Sequence, residues 1–158
     1  IALKRQQLEA LKTVCEQHQA LLIVNDDWRL AAELGIDAVH LGEDDGDIEE
    51  ARQALGPGSL IGVSCYASVE RARALAPGAD YLAFGALFAS GTKPLARPAP
   101  LSIFREVQAL SLARPLVGIG GIDAGNIGSV LAAGADAAAV IGSLFRRGDV
   151  RAAAQPRP

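Results

Sequence analysis

Two acidic residues form the first candidate site, because each follows an apolar run of the chain. Asp26 comes shortly after Leu21–Val24, and Asp45 comes shortly after Ala38–Leu41. If both runs are strands of a parallel barrel, their carboxyl ends meet at one edge, where the two side chains can converge. Two carboxylates without a third protein ligand suit Mg²⁺, which keeps several waters and shares oxygens with substrate phosphates. Another interpretation stays open, in which Asp26 caps a helix at Trp28 and Asp45 is solvated.

Polar side chains at two later positions are suited to bind an anion. Ser64 ends the apolar run Leu60–Ser64, and its hydroxyl can donate to pyrophosphate. No histidine or lysine base stands beside Ser64 in the sequence, which argues against a nucleophilic serine. Thr92 and Lys93 lie in the long connection Gly85–Pro100, whose glycines and prolines suit a mobile loop. Lys93 can close over an anionic substrate there, although an ordinary exposed lysine is the simpler interpretation.

Glycines follow the last two apolar runs of the chain, in Gly118–Ile122 and in Ile141–Ser143. Backbone N–H groups at such strand ends can point at a phosphate, as in the usual phosphate site of βα barrels. The alternative is that these glycines only form tight turns between a strand and a helix. We favour the phosphate site as the interpretation.

Histidine and cysteine give no separate site in this sequence. His40 lies in the middle of an apolar run, and we favour a hydrogen-bonded core histidine over a catalytic base there. His18 belongs to a helix end and needs no function. Cys15 and Cys65 have no metal-ligand spacing, so we interpret them as buried thiols in a protein of the reducing cytoplasm.

A repeat in the chain predicts a fold that brings these strand ends together. Gly-x-Asp stands before an apolar run three times, at residues 35–37, 78–80 and 134–136. A helical pattern precedes each repeat, so helices and buried strands alternate as in parallel βα units. The predicted strands are Leu21–Val24, Ala38–Leu41, Leu60–Ser64, Tyr81–Phe84, Pro115–Ile119 and Ala137–Ile141. The predicted helices are 3–18, Trp28–Leu34, Ile48–Leu55, Val69–Leu75, Ser102–Leu110, Asn126–Ala133 and 143–152.

This alternation predicts the α/β class and a (βα)8 TIM barrel as the architecture. Such a barrel has eight strands, and six are predicted here, so we expect about the first two βα units to be absent from this chain. We expect residues 1–158 to form a single, N-terminally incomplete barrel domain. A doubly wound sheet is the structural alternative, but no Gly-x-Gly-x-x-Gly follows the first predicted strand.

Composition excludes two classes of partner. The formal net charge is −3 and no basic stripe is present, which argues against a nucleic-acid-binding surface. No apolar run approaches the length of about 18 residues that would predict a membrane span. We therefore expect a cytoplasmic protein that acts on small molecules, and a homo-oligomer stays open as its assembly state.

The motifs named above occur in an order that resembles the thiamine-phosphate synthase family. The similarity runs from about residue 20 to residue 145. It is carried by Val24–Asp27, Val39–Asp45, Gly62–Ser64, Thr92–Lys93 and Gly118–Ile122. The resemblance implies a (βα)8 barrel and a Mg²⁺-dependent transferase of thiamine biosynthesis. It would couple 4-amino-2-methyl-5-pyrimidinylmethyl diphosphate with thiazole phosphate to give thiamine phosphate and pyrophosphate.

The resemblance also assigns residues to the diphosphate half of that reaction. Asp26 and Asp45 would hold Mg²⁺. Asn25, Ser64 and Lys93 would contact the pyrophosphate, with Ser64 and Lys93 as the catalytic residues. No general base is required, which agrees with the lack of a poised histidine or glutamate.

For the thiazole half, the resemblance implies contacts from side chains and from main-chain amides. Ser90 and Thr92 would approach the thiazole carboxylate. Gly121, Ile141 and Gly142 would offer backbone amides to the thiazole phosphate.

The chain departs from the family pattern at four points. The Gln-x-Arg-x-Lys strand that helps to bind the pyrimidine diphosphate is not present. Ala89–Ser90 replaces the usual Pro-Thr, Gly142 replaces a frequent serine, and Tyr66 replaces a common histidine. A thiazole tautomerase-like isomerase is one alternative, but it uses a histidine near Tyr66 and does not need the aspartates. A non-catalytic barrel that binds a thiamine precursor is the other alternative.

Overall fold

The computed structural model describes residues 2–89, 98–145 and 148–155, and strands alternate with helices along them. The strands are β1 (Val24–Asn25), β2 (Ala38–Leu41), β3 (Leu60–Tyr66), β4 (Tyr81–Phe84), β5 (Leu116–Ile119) and β6 (Ala137–Ala139). The helices are α1 (Ala2–Gln17), α2 (Trp28–Glu33), α3 (Ile48–Leu55), α4 (Val69–Leu75), α5 (Ile103–Gln108), α6 (Ile127–Ala132), α7 (Gly142–Phe145) and α8 (Val150–Ala154).

The chain divides into two compact units. The first contains the residues up to Ser64 together with Gly78–Asp80, and the second contains Cys65–Pro77 and the residues from Tyr81 onward. The prediction of a single domain stays a prediction.

In the first unit, three parallel strands pair in the order of the chain. Val24 of β1 lies opposite Val39 of β2, and Val39 lies opposite Ile61 of β3. These three side chains are at most 1% exposed, because α2 and α3 contribute further buried residues such as Trp28 and Ala51. Parallel strands that helices cover have continuous apolar sequences. The three strands were predicted from apolar runs of this kind.

The second unit repeats the arrangement with β4, β5 and β6. Leu82 lies opposite Leu116, and Val117 lies opposite Ala137, again in parallel register. Its core contains Phe84 of β4 and Phe104 of α5, whose rings meet edge to face with centroids 5.8 Å apart. An edge-to-face aromatic pair of this kind adds to the stabilisation that comes from burial alone.

The Gly-x-Asp repeats have a structural explanation at the start of the strands. The Oδ2 atom of Asp80 accepts a hydrogen bond of 2.7 Å from the N–H of Ile61. The Oδ2 atom of Asp136 accepts one of 2.7 Å from the N–H of Leu116. In the first unit, the guanidinium of Arg52 also donates to Asp80 Oδ2 at 2.8 Å. Asp80 and Asp136, from the second and third repeats, therefore each bind the start of a strand.

Helix bounds were predicted best where a side chain caps the helix. Asp47 accepts from the N–H groups of Glu49 and Glu50 at the start of α3, and Ser68 accepts from Arg71 N–H at the start of α4. Such caps satisfy backbone donors that have no partner inside the helix. Both helices have the predicted bounds. The predicted helix 143–152 is wrong as one element, since α7 and α8 occupy this part of the chain.

Two strand predictions were too long. Pairing begins only at Val24, and Leu21 and Ile23 are 61% and 37% exposed in front of it. At the other end, β6 stops at Ala139, and Ile141 lies in a bend before α7. The α/β class and the parallel pairing of consecutive strands are otherwise confirmed within each unit.

Candidate functional site

The predicted acidic residues line one pocket of the first unit. The pocket has a volume of about 400 Å³ and lies where β1 and β2 end. Its lining consists of Lys4, Asp26, Asp27, Trp28, Arg29, Asp44, Asp45 and Gly46. Asp26 and Asp45 thus share one pocket, as the strand arrangement predicted.

The loop that carries Asp45 is held by two hydrogen bonds. The Oδ2 atom of Asp45 accepts from the N–H of Gly42 at 2.6 Å. The indole Nε1 of Trp28 donates to the backbone oxygen of Asp45 at 3.2 Å. Trp28 is only 7% exposed, so its indole gives the loop a rigid support. The sequence did not reveal this contact, which depends on α2 packing beside the end of β2.

Asp26 has a left-handed backbone with φ of +71°. Aspartate adopts this conformation more readily than most residues with a side chain, and such backbone outliers are concentrated at functional sites. The N–H of Asp26 donates to the backbone oxygen of His40 at 2.9 Å. The side-chain amide of Asn25 donates to Asp26 Oδ1 at 2.6 Å, so the two neighbouring polar residues orient each other.

The interpretation in which Asp26 caps the helix at Trp28 is wrong, because Asp27 is the cap. The Oδ1 atom of Asp27 accepts from the N–H of Leu30 at 3.1 Å, and its Oδ2 atom lies 3.3 Å from Lys4 Nζ. Partial burial of Asp27 is outweighed by that hydrogen bond and by the charge of Lys4, so the pKa of its carboxyl is lowered. Asp27 thus has a structural role as the cap of α2.

The donor set of this pocket fits Mg²⁺. Among the described residues, no group of three or more histidine, cysteine or acidic side chains is placed to hold a metal ion. A metal ion held by two of the four carboxylates that line the pocket would complete its coordination with water and ligand oxygens, as Mg²⁺ does. Asp26 and Asp45 are the residues that would hold the ion.

Ser64 lies within hydrogen-bonding distance of a histidine that the sequence did not place beside it. His40 Nε2 is 2.9 Å from Ser64 Oγ. The register of β2 and β3 explains the contact, since His40 lies opposite Gly62 and Ser64 is two residues further along the same face. Ser64 therefore has a histidine beside it in space, although none is adjacent to it in the sequence. The parallel pairing of the two predicted strands was the signal that could have revealed the pair.

In the second unit, β5 ends in a glycine turn that allows no side chain. Gly120 and Gly121 have φ values of +90° and +65°. A Cβ on Gly121 would lie 2.6 Å from the backbone oxygen of Ala89, so the turn is closely packed. The side-chain amide of Asn126 donates to Gly121 O at 3.0 Å and fixes the turn from the following helix.

The end of β6 presents the other predicted phosphate contacts. Ile141 is 60% exposed, and its carbonyl accepts from the N–H groups of Leu144 and Phe145. Gly142 is the first residue of α7, a position where the N–H has no acceptor within the helix. The adjacent ends of β5 and β6 therefore place Gly121, Ile141 and Gly142 at the same edge of their sheet.

Some predicted site residues fall outside the described part of the chain. Ser90, Thr92 and Lys93 lie within residues 90–97, which the structure does not describe. Their roles stay predictions. Tyr66, which ends β3, is described: it has φ of +56°, and the Arg71 guanidinium lies 5.7 Å from its ring centroid.

The fold and site define a protein of parallel βα units whose strand ends carry an acidic pocket in one unit and a glycine turn in the other. The family model described as thiamine monophosphate synthase matches residues 2–144. The chain belongs to the thiamine monophosphate synthase family.

Curated relatives support this membership over nearly the whole chain. The thiamine-phosphate synthase of Chromobacterium violaceum is 55% identical over 150 residues, which cover 94% of this chain and 72% of the relative. That of Halorhodospira halophila is 52% identical over 153 residues, which cover 96% of this chain and 73% of the relative.

A solved structure, the thiamine phosphate pyrophosphorylase from Pyrococcus furiosus, superposes with a TM-score of 0.82 at 33% identity. The match covers 94% of this chain and 71% of that one. A 3-hexulose-6-phosphate synthase superposes with a TM-score of 0.67 at 19% identity, which shows a shared fold only. The predicted TIM-barrel class is confirmed by this likeness. Within the described residues, no helix is long and apolar enough to cross a membrane.

Proposed function

We propose that this chain is a thiamine-phosphate synthase. It couples 4-amino-2-methyl-5-pyrimidinylmethyl diphosphate with thiazole phosphate and releases pyrophosphate. Family membership supports the reaction, and the observation that carries the assignment of its site is the pocket shared by Asp26 and Asp45 at the ends of β1 and β2.

The bond changes of this reaction set what the site must do. The bond between the pyrimidinylmethyl carbon and the diphosphate oxygen breaks, and its electron pair leaves with pyrophosphate. The thiazole nitrogen then forms a bond to the same carbon through its lone pair. No proton has to be removed, so the enzyme needs charge stabilisation rather than a general base.

The diphosphate is assigned to the polar side chains of the first unit. Mg²⁺, when bound, would neutralise charge on the leaving pyrophosphate. Asn25 and Ser64 would donate hydrogen bonds to its oxygens, and Lys93 would approach it as a point charge. Because Trp28 and Gly42 hold Asp45 in place, the carboxylate does not have to reorganise when the substrate enters.

The thiazole phosphate is assigned to main-chain amides of the second unit. Gly121, Ile141 and Gly142 stand at the ends of adjacent strands, and helix and turn amides there are suitable partners for phosphate. Ser90 and Thr92 would contact the thiazole carboxylate, and a thiazole phosphate that carries this group must lose it as CO₂ to give thiamine phosphate.

One assay separates this proposal from its alternatives. The chain is incubated with Mg²⁺ and both substrates, or with each alone, and pyrophosphate and thiamine phosphate are measured. The proposal expects both products only when both substrates are present. Isomerisation of thiazole phosphate alone would indicate the tautomerase, and binding of a precursor without turnover would indicate a non-catalytic barrel. Either result would overturn the proposal.

A further inference from the structure

The contact between His40 and Ser64 has a consequence for how Ser64 meets an anion. His40 Nε2 and Ser64 Oγ are 2.9 Å apart, and both side chains are half-buried in the first unit. We propose that His40 is a positioning residue that keeps the Ser64 hydroxyl available as a hydrogen-bond donor to the diphosphate. This inference rests on the proposed function and adds to it a residue that acts through Ser64.

A hydroxyl group has a single proton that it can donate. If His40 Nε2 carries no hydrogen, the Ser64 O–H donates to it, and this hydrogen is then directed away from the ligand. Lone pairs repel the anionic oxygens of a diphosphate. If Nε2 carries the hydrogen, it donates to Ser64 Oγ, and the hydroxyl hydrogen can turn toward the ligand. A hydroxyl that accepts one bond is also a stronger donor in the next.

The backbone around His40 holds the ring in the position that this role requires. The His40 carbonyl accepts from the N–H of Asp26, which ties the strand to the acidic pocket. Gly62 lies opposite His40 and brings no side chain between the ring and Ser64. The neighbours Val39 and Leu41 point to the opposite face, where they are at most 1% exposed.

Variants of the pair test this role through the affinity for inorganic pyrophosphate in the presence of Mg²⁺. Ser64→Ala removes the donor, and we expect affinity to fall by about 10- to 100-fold, as for a hydrogen bond to a charged group. His40→Phe keeps a ring but removes the nitrogen, and we expect a similar fall. The double variant should bind no more weakly than either single one, because both remove the same interaction.

A conservative replacement and a control distinguish positioning from a merely structural role. His40→Gln places an amide N–H₂ near the position of Nε2, and we expect its affinity within about threefold of wild type. His18→Phe changes an exposed histidine at the end of α1 and should leave the affinity unchanged. Circular dichroism checks that each variant is folded.

Nitrogen NMR of the imidazole gives a test that needs no variant. In the complex with Mg²⁺ and pyrophosphate, we expect the ¹⁵N shifts of His40 to show hydrogen on Nε2. Hydrogen on Nδ1 alone would overturn the inference. A double variant whose loss of pyrophosphate affinity equals the product of the two single losses would also overturn it. A wild-type chain that does not bind pyrophosphate would overturn the proposed diphosphate site together with this inference. If the wild type binds pyrophosphate normally and the two single variants lose affinity independently of each other, only this inference is overturned.

Discussion

Replacement of Gly121 by alanine should destabilise the second unit strongly. Its φ of +65° is disfavoured for alanine by roughly 1–2 kcal/mol. The new Cβ would also lie 2.6 Å from the oxygen of Ala89 and 2.8 Å from the carbonyl carbon of Phe88. These are backbone atoms that cannot rotate away, and overpacking of this kind costs about 1–3 kcal/mol. Together the two effects predict a loss of about 2–5 kcal/mol in the free energy of unfolding.

Urea denaturation followed by circular dichroism measures this loss, and Gly128→Ala is the matched control. Gly128 lies in α6 of the same unit, and a Cβ there would meet no atom within 4 Å. Alanine is favoured over glycine in a helix, so the control should be neutral or more stable by up to about 1 kcal/mol. Calorimetry should show weaker thiazole phosphate binding in Gly121→Ala only. A Gly121→Ala variant with wild-type stability and binding would refute the described packing of the turn.

Three further predictions concern single residues. Burial raises the pKa of the Cys65 thiol to about 12, although the charge of Arg71 lowers it. Iodoacetamide at pH 8 should therefore label Cys15 much faster than the buried Cys65, and equal labelling rates would contradict this. Asp80→Ala removes the acceptor of Ile61 N–H and should lower the free energy of unfolding by about 1–3 kcal/mol; an unchanged urea midpoint would count against it. Lys93→Ala should slow turnover while thiazole phosphate still binds in calorimetry. Loss of that binding with pyrophosphate binding intact would mean that the two subsites are assigned the wrong way round.

The elements that the sequence predicted well are those set by neighbouring residues. Asp47 and Ser68 cap α3 and α4 through residues two or three positions away, so a local pattern determines where those helices begin. Leu21 and Ile23 show the limit of this reasoning. Both are apolar, but a strand needs a partner, and pairing with β2 starts only at Val24.

The candidate site also contains features that could be predicted from the sequence and features that could not. The shared pocket of Asp26 and Asp45 followed from the rule that parallel strand ends meet at one edge. The hydrogen bond from Trp28 to the Asp45 loop did not, because it depends on how α2 packs beside the end of β2. The pair of His40 with Ser64 depends on the register of β2 and β3, and the predicted strands were not assigned a register.

Comparison of Asp45→Asn with Asp44→Asn tests most directly the claim that the pocket carries the chemistry. Both aspartates line the pocket, and asparagine at position 45 can still accept from Gly42 N–H. The measurement is the rate of thiamine phosphate formation with both substrates, with and without Mg²⁺. We predict a Mg²⁺-dependent wild-type rate, a fall of about 100-fold or more in Asp45→Asn, and a rate within about threefold of wild type in Asp44→Asn. Near-normal Mg²⁺-dependent turnover in Asp45→Asn would contradict the claim.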